Sequence, residues 1–336
     1  MRRFLGESLP DTARIALITN DALGNYVVAT PLMQMLQMKY PSASLHYYGG
    51  TRITELSERA TWFEATVSLY GSDPRTLVSG LMKAAPYDLI VNLENSAWAK
   101  CLTALLSNGN TMVTGPCLSE DGRSDLPFTR DERGDLWRDM EWMSPHITFK
   151  YPFLTTGFIG EIFARLAYLD GPMLRYALPS DDPGRPVPDV LIATAASLTE
   201  KLWPVDSWIA LVQSLRAKGL TVGLVGAKPT EQSRFWRGAG DESGILTKGE
   251  AEDLRGVFTL PQVVGAIERC RQVITIDNGI LHMACATRTP VAGLFRHGIH
   301  RLWAPPASNL TVIEPGENRA VSDLSLEEVL AHVKIS

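Results

Sequence analysis

Chemistry in this chain is concentrated in three short runs, each where an apolar, β-rich stretch gives way to a helical pattern. The first is Asn20-Asp21-Ala22-Leu23-Gly24-Asn25-Tyr26. Gly24 would let the backbone approach a ligand, and Asp21 and Asn25 would offer it polar groups; the plainer reading is a βα turn capped by Asp21. The second is Ser197-Leu198-Thr199-Glu200-Lys201-Leu202-Trp203-Pro204, where Lys201 could neutralise a diphosphate or simply be solvated. The third is Ile276-Asp277-Asn278-Gly279-Ile280-Leu281-His282. Free amides at that helix start make an anion site, or Asp277 merely caps the helix while His282 faces the core.

Common signatures are missing. The one G-x-G, Gly238-Ala239-Gly240, follows a helical stretch and has Ser243 at the third glycine position, which argues against a dinucleotide fingerprint and hydride transfer. No G-x-x-x-x-G-K-S/T, H-E-x-x-H or G-x-S-x-G occurs, nor a D-x-D pair to clamp a metal-bound sugar nucleotide. Bound phosphates would have to be held by cations and helix N-termini. Lys and Arg number 32 against 37 Asp and Glu, a net charge of -5, which gives no general attraction for nucleic acid. The cysteines at 101, 117, 270 and 285 form no C-x-x-C pair, so neither a zinc site nor a disulfide framework is expected, and reduced thiols suit the cytoplasm. No stretch approaches 18 apolar residues, and the basic N-terminus meets Glu7 before any apolar run, so neither membrane insertion nor secretion is expected.

The elements that must position these runs form two α/β series. The first has strands at Arg14–Thr19, Leu45–Tyr48, Asp88–Leu93 and Thr111–Thr114, with helices from about Thr30 to Lys39, Pro31 in its first turn, and from Trp98 to Leu106. The second has strands at Val190–Thr194, Thr221–Val225, Val273–Ile276 and Val291–Phe295, with helices at Val205–Lys218, Leu260–Cys270 and Gly279–Thr287. Five prolines between Gly171 and Pro188 mark an extended linker. The layout expected is an N-terminal α/β domain (1–175), a Pro-rich linker (176–188), a C-terminal α/β domain (189–320) and a C-terminal helix (321–336). Two such open sheets bind ligands at their strand ends, in a cleft. Ser119 to Lys150 has no clean period and reads as an irregular excursion; Phe158, Ile159, Ile162, Phe163, Leu166 and Leu169 form a stripe that suits core packing better than a membrane face.

In order along the chain, these runs resemble glycosyltransferase family 9, the bacterial heptosyltransferases of lipopolysaccharide assembly and their relatives. Leu23-Gly24-Asn25 through Thr30-Pro31-Leu32 is similar to the family's L-G-D and T-P-L, and Tyr87-Asp88-Leu89-Ile90-Val91-Asn92-Leu93 to its Y-D-L-V-I-D-L. Lys201-Leu202-Trp203-Pro204 resembles K-R-W-P, Asp253-Leu254-Arg255-Gly256 to Leu260 resembles D-L-R-G-x-x-x-L, and Asp277-Asn278-Gly279 with His282 resembles D-S-G-P-M-H. Leu294-Phe295 with Trp303 and Pro305 is similar to its L-F-G ending and the R-W-x-P beyond.

The resemblance implies a GT-B fold of two Rossmann-like domains and metal-independent, inverting transfer of a sugar, often heptose from an ADP-sugar, to a hydroxyl of a glycan, lipid-linked or small-molecule acceptor, with no cofactor. Other nucleotides remain open, as do peripheral contact with a membrane and a binding protein that has lost catalysis. By position, Lys201 would meet the diphosphate or an acceptor-side anion, Ser197 a phosphate, Glu231 the ribose and Asp277 the donor sugar. The amides of Asn278, Gly279 and Ile280 would cradle the leaving diphosphate. Two departures stand out. The family's L-G-D aspartate, its general base, is Asn25 here, and an amide accepts no proton near neutral pH, which leaves Asp21 as the nearest carboxylate. Arg296-His297-Gly298 replaces G-P-T and adds a cation.

Overall fold

The computed structural model describes residues 1–334 apart from 71, 72, 82, 84, 140 and 236–241; the Gly238-Ala239-Gly240 run lies outside the described residues. The chain divides into two units, Met1–Ala177 and Leu178–Ser336.

The N-terminal unit is built on a six-stranded parallel sheet in the order β1-β6-β5-β2-β3-β4. Its strands are β1 (Arg2–Arg3), β2 (Arg14–Ile18), β3 (Ser44–Gly50), β4 (Ala65–Tyr70), β5 (Leu89–Asn92) and β6 (Met112–Thr114). β2 and β5 are continuous apolar runs because helices cover both faces: Ala16, Ile18 and Ile90 pack with Ala99 and Leu102 of the helix Ala97–Leu106. The C-terminal unit repeats the plan in the order β12-β11-β10-β7-β8-β9, again all parallel. Its strands are β7 (Val190–Ala193), β8 (Val222–Leu224), β9 (Glu252–Asp253), β10 (Gln272–Ile276), β11 (Val291–Leu294) and β12 (Leu310–Ile313). In each sheet the chain runs outward from a central strand, then crosses to that strand's other side. The order therefore reverses between β2 and β5, and between β7 and β10, and ligands in such sheets bind beyond the strand carboxyl ends at that reversal.

The sequence misses the four strands β1, β4, β9 and β12, all at sheet edges. An edge strand buries less and so carries no continuous apolar run; β1 is Arg-Arg and β9 Glu-Asp. The first long helix also departs from expectation. It spans Leu23–Lys39, so Pro31 lies inside it and Leu23-Gly24-Asn25 form its first turn rather than a loop. Proline removes the N–H that would bond the carbonyl four residues back, and here the Thr30 hydroxyl donates to that Val27 carbonyl instead, at 2.7 Å. The stripe after Phe158 forms the helix Ile159–Leu166, buried against Leu23–Lys39 as core packing requires. Within Ser119–Lys150 there are two short helices, Glu132–Arg138 and Ile147–Lys150, in otherwise irregular chain. In place of a helix over 321–336 there is a 3-10 turn at Val321–Asp323 and one short helix, Leu326–Leu330, started by a Ser325–Glu328 capping box and anchored by buried Val329. Among the described residues no helix is long and apolar enough to cross a membrane.

Candidate functional site

At the reversal point of the C-terminal sheet, the loops after β7 and β10 meet. Lys201, in a 3-10 turn at Thr199–Lys201, reaches across to Asp277: its Nζ lies 2.7 Å from Asp277 Oδ2 and donates to the Asp277 carbonyl at 3.1 Å. The carboxylate is 4% exposed and the lysine 18%, so most of the pair is out of water while the cation keeps a face to it. Trp203 fixes this turn: it is buried, packs edge-on against Trp208 at 5.0 Å, and donates its indole N–H to the Leu324 carbonyl. The tryptophan of the Lys-Leu-Trp-Pro run is thus an anchor that aims the lysine.

The cap of the helix Gly279–Ala286 is Asn278, not Asp277. Asn278 Oδ1 accepts from the Leu281 N–H at 3.1 Å, and its amide donates to the Ala195 carbonyl at 3.2 Å, tying the two loops together. The first-turn amides of Gly279 and Ile280 have no acceptor within the helix. Unpaired amides beside a cation suit a diphosphate. His282 is buried behind them, with Nε2 4.0 Å from Asp277 Oδ1. Burial pushes its pKa down to about 4, against the pull of Asp277 and with a push from Lys201. It is therefore neutral at physiological pH and positions Asp277 as an uncharged wall. Because the unfolded state takes up this proton first, the histidine withdraws stability as pH falls from 6.5 towards 4, by about 3 kcal/mol at most. Urea unfolding at pH 7 and 4.5 checks this: His282→Gln should lose less stability between the two than wild type.

Ser197 and Glu231 are both exposed, Glu231 on the short helix Pro229–Phe235; neither hydrogen-bonds to the Lys201–Asp277 pair. The sequence offers no hint of a second buried network at this sheet end. Glu242 accepts from Thr194 Oγ1 at 2.5 Å and pairs with Arg255 at 2.8 Å, and Arg255 also pairs with Asp253. These contacts, first that with Asp253, raise the guanidinium pKa above its ordinary value. Gly256 closes the Asp253-Leu254-Arg255-Gly256 turn at φ +66, a backbone shape that favours glycine.

In the N-terminal unit the reversal point is lined by the ends of β2 and β5. Asp21 does not cap the helix, whose N-cap is Ala22 with no side-chain bond. Its Oδ1 instead accepts from the Arg52 N–H at 3.0 Å, and its Oδ2 from Arg52 Nε at 2.8 Å. Gly50 permits this, since a Cβ there would overlap the Asp21 carboxylate. Asn25 and Gly24 are half-buried in the first helical turn. Asn20 bridges the strands: its Nδ2 donates to Glu94 Oε2 at 2.7 Å and its Oδ1 accepts from the Ala22 N–H.

A family model, glycosyltransferase family 9 (heptosyltransferase), matches residues 171–333, nearly the whole C-terminal unit. Over those residues the chain is similar to glycosyltransferase family 9. Among solved structures, a family 9 glycosyl transferase from Veillonella parvula is similar at 15% identity and a TM-score of 0.71, over 95% of both chains. E. coli ADP-heptose lps heptosyltransferase II matches at 17% and 0.69, over 95% of this chain and 97% of that one. E. coli heptosyltransferase WaaC with ADP matches at 16% and 0.64, over 95% and 98%. No curated protein sequence matches the chain. At these identities the structures establish the fold, an α/β two-domain GT-B fold.

Within the matched residues, Lys201, Asp277 and Asn278 converge, and Arg296 lies two residues past β11, the strand next to β10. Arg296 Nε is buried with no acceptor among the described residues. Beyond it, His300 is held by Glu314 at 2.9 Å.

Proposed function

We propose that the protein is an inverting, metal-independent glycosyltransferase that moves heptose from ADP-heptose to a hydroxyl acceptor of glycan or lipid-linked type. The observation that carries this reading is the Lys201–Asp277 pair set against the open amides of Gly279 and Ile280 in a unit similar to family 9. In inversion the acceptor oxygen attacks the anomeric carbon as the bond to the diphosphate breaks, so negative charge grows on the leaving phosphate. Lys201 and the two amides stabilise that charge, Ser197 and Arg296 lie at the same sheet end to contact phosphate, and Glu231 takes the ribose. Asp277 holds the donor sugar hydroxyls while keeping Lys201 in place. In the N-terminal unit Asn25 orients the acceptor hydroxyl, and the pairing of Asp21 with Arg52 leaves its carboxylate the weaker candidate for base. A reducing compartment, the cytoplasm, suits the four unpaired cysteines.

Of the proteins solved in this fold, one is an ADP-heptose heptosyltransferase and another was solved with ADP, which favours adenine as the donor base. ADP should therefore raise Tm. A ligand bound only by the folded state adds about 2.7 kcal/mol at one hundred times its Kd, which is several degrees. Stabilisation by GDP or UDP, with no effect of millimolar ADP, would overturn the donor assignment. Asn25 in place of an acidic residue favours a second reading, a sugar-nucleotide binder without turnover. Tight ADP-heptose binding with no ADP released in the presence of lipopolysaccharide core oligosaccharides decides for it.

A further inference from the structure

The transfer proposed above needs a group to take the acceptor proton, and Asn25 cannot. Two carboxylates flank the N-terminal reversal point and their surroundings differ. Asp21 has both oxygens bound by Arg52, through an ion pair and a backbone N–H. Glu94 lies two residues past β5, across from Asn20 at the end of β2, where the strand order reverses. Its one side-chain bond is from the neutral Asn20 amide to Oε2, and Oε1 has no partner among the described residues. Among the described residues no cation is paired with it.

Glu94 is also held in place. Its backbone N–H donates to Asn92 Oδ1 at 2.9 Å, and the fully buried Asn92 donates to the Pro116 carbonyl at 2.6 Å. Tyr70, at the end of β4, senses both acids: burial first, then the charges of Glu94 and Asp21, raise its phenol above the ordinary value, against a hydrogen bond with Ser96. A half-exposed carboxylate with a free oxygen, fixed by backbone contacts at the ligand-binding end of the sheet, meets the geometric needs of a base.

Resting on the transferase reading, we propose that Glu94 is the catalytic base of this protein. The Glu94 carboxylate takes the proton of the acceptor hydroxyl as that oxygen bonds to the anomeric carbon. The carbon–oxygen bond to the diphosphate breaks, its electron pair leaves with the nucleoside diphosphate, and Glu94 later returns the proton to water. Asp21 acts through Arg52, shaping the loop.

The test compares wild type, Glu94→Gln and Asp21→Asn for ADP release from ADP-heptose, in water alone and with lipopolysaccharide core oligosaccharides, alongside the Tm shift produced by ADP. Glutamine keeps the acceptor for Asn20 and loses the basic oxygen. Glu94→Gln should lose on the order of 10² to 10⁴ in kcat with its ADP shift intact, and at least tenfold more than Asp21→Asn. Wild-type kcat in Glu94→Gln, or an equal loss in Asp21→Asn, overturns Glu94 while leaving the transferase reading standing. A wild type that binds ADP but releases none from ADP-heptose under either condition overturns the transferase reading, and the base with it.

Discussion

Lys201→Met is expected to cost about 3 kcal/mol of stability in the C-terminal unit and to reduce kcat/KM by tenfold or more. From sequence, a lysine in a polar loop should be removable with little effect on folding. The structure changes that expectation, because Asp277 is buried and Lys201 is its cation. Removing one member of a buried pair leaves an uncompensated charge, which typically costs about 3–5 kcal/mol, and the lower end applies where the cation is partly in water. Loss of activity alone would thus not show that Lys201 works on substrate. The double variant Lys201→Met/Asp277→Asn separates the two roles. With both charges gone it should recover most of the stability, as measured by urea unfolding, because no buried charge is left alone. If the pair also works on the donor, Lys201 on the departing diphosphate and Asp277 on the sugar, kcat/KM stays at least tenfold down in the double variant, since one charge-assisted contact contributes about 1.5–3 kcal/mol. Recovery of turnover with stability would show that the pair is only structural.

The central strands were legible because burial on both faces leaves one-dimensional evidence: Leu89-Ile90-Val91 or Val273-Ile274-Thr275-Ile276 can hardly be anything else. The site was legible only as separate pieces. Lys201 and Asp277 are 76 residues apart, and their contact follows from which strands the topology makes neighbours, which no local pattern states. The start of the first helix was hidden by Pro31, a residue that usually opens a helix and here sits within one because Thr30 satisfies the orphaned carbonyl. Asp21 looked like a base or a cap because Arg52, 31 residues on, cannot be seen from its loop. Glu94 belongs to no run that draws the eye; it becomes conspicuous only when β5 is placed beside β2.

The same dependence on distant partners gives the largest stability effect expected in the N-terminal unit. Glu161, at 0% exposure, accepts hydrogen bonds from the backbone and hydroxyl of Thr155 on Oε1 and from those of Thr156 on Oε2. Arg165, one turn later on the helix Ile159–Leu166, pairs with it at 3.0 Å and also donates to the Leu169 and Gly171 carbonyls. Burial alone would raise the Glu161 pKa, but the threonine bonds outweigh it and hold the group below its ordinary 4.5. A carboxylate depressed in the folded state supplies stability above the unfolded pKa and withdraws it as pH falls through the folded one, so this contribution is present at neutral pH and fades below about 4.5. Glu161→Gln removes the charge opposite a guanidinium that is 3% exposed and should cost about 3–5 kcal/mol at pH 7. The cost should shrink on acidification, because wild type then loses the same charge. Glu161→Gln/Arg165→Met, which removes both charges and keeps an acceptor oxygen for the threonines, should be less destabilised than Glu161→Gln. The effect bears on function because this helix packs on Leu23–Lys39, whose first turn carries Asn25. Urea unfolding of the three proteins at pH 7 and pH 4 decides the matter: a loss below about 1 kcal/mol at pH 7, or one independent of pH, would show that the Glu161 charge contributes little to this end of the helix.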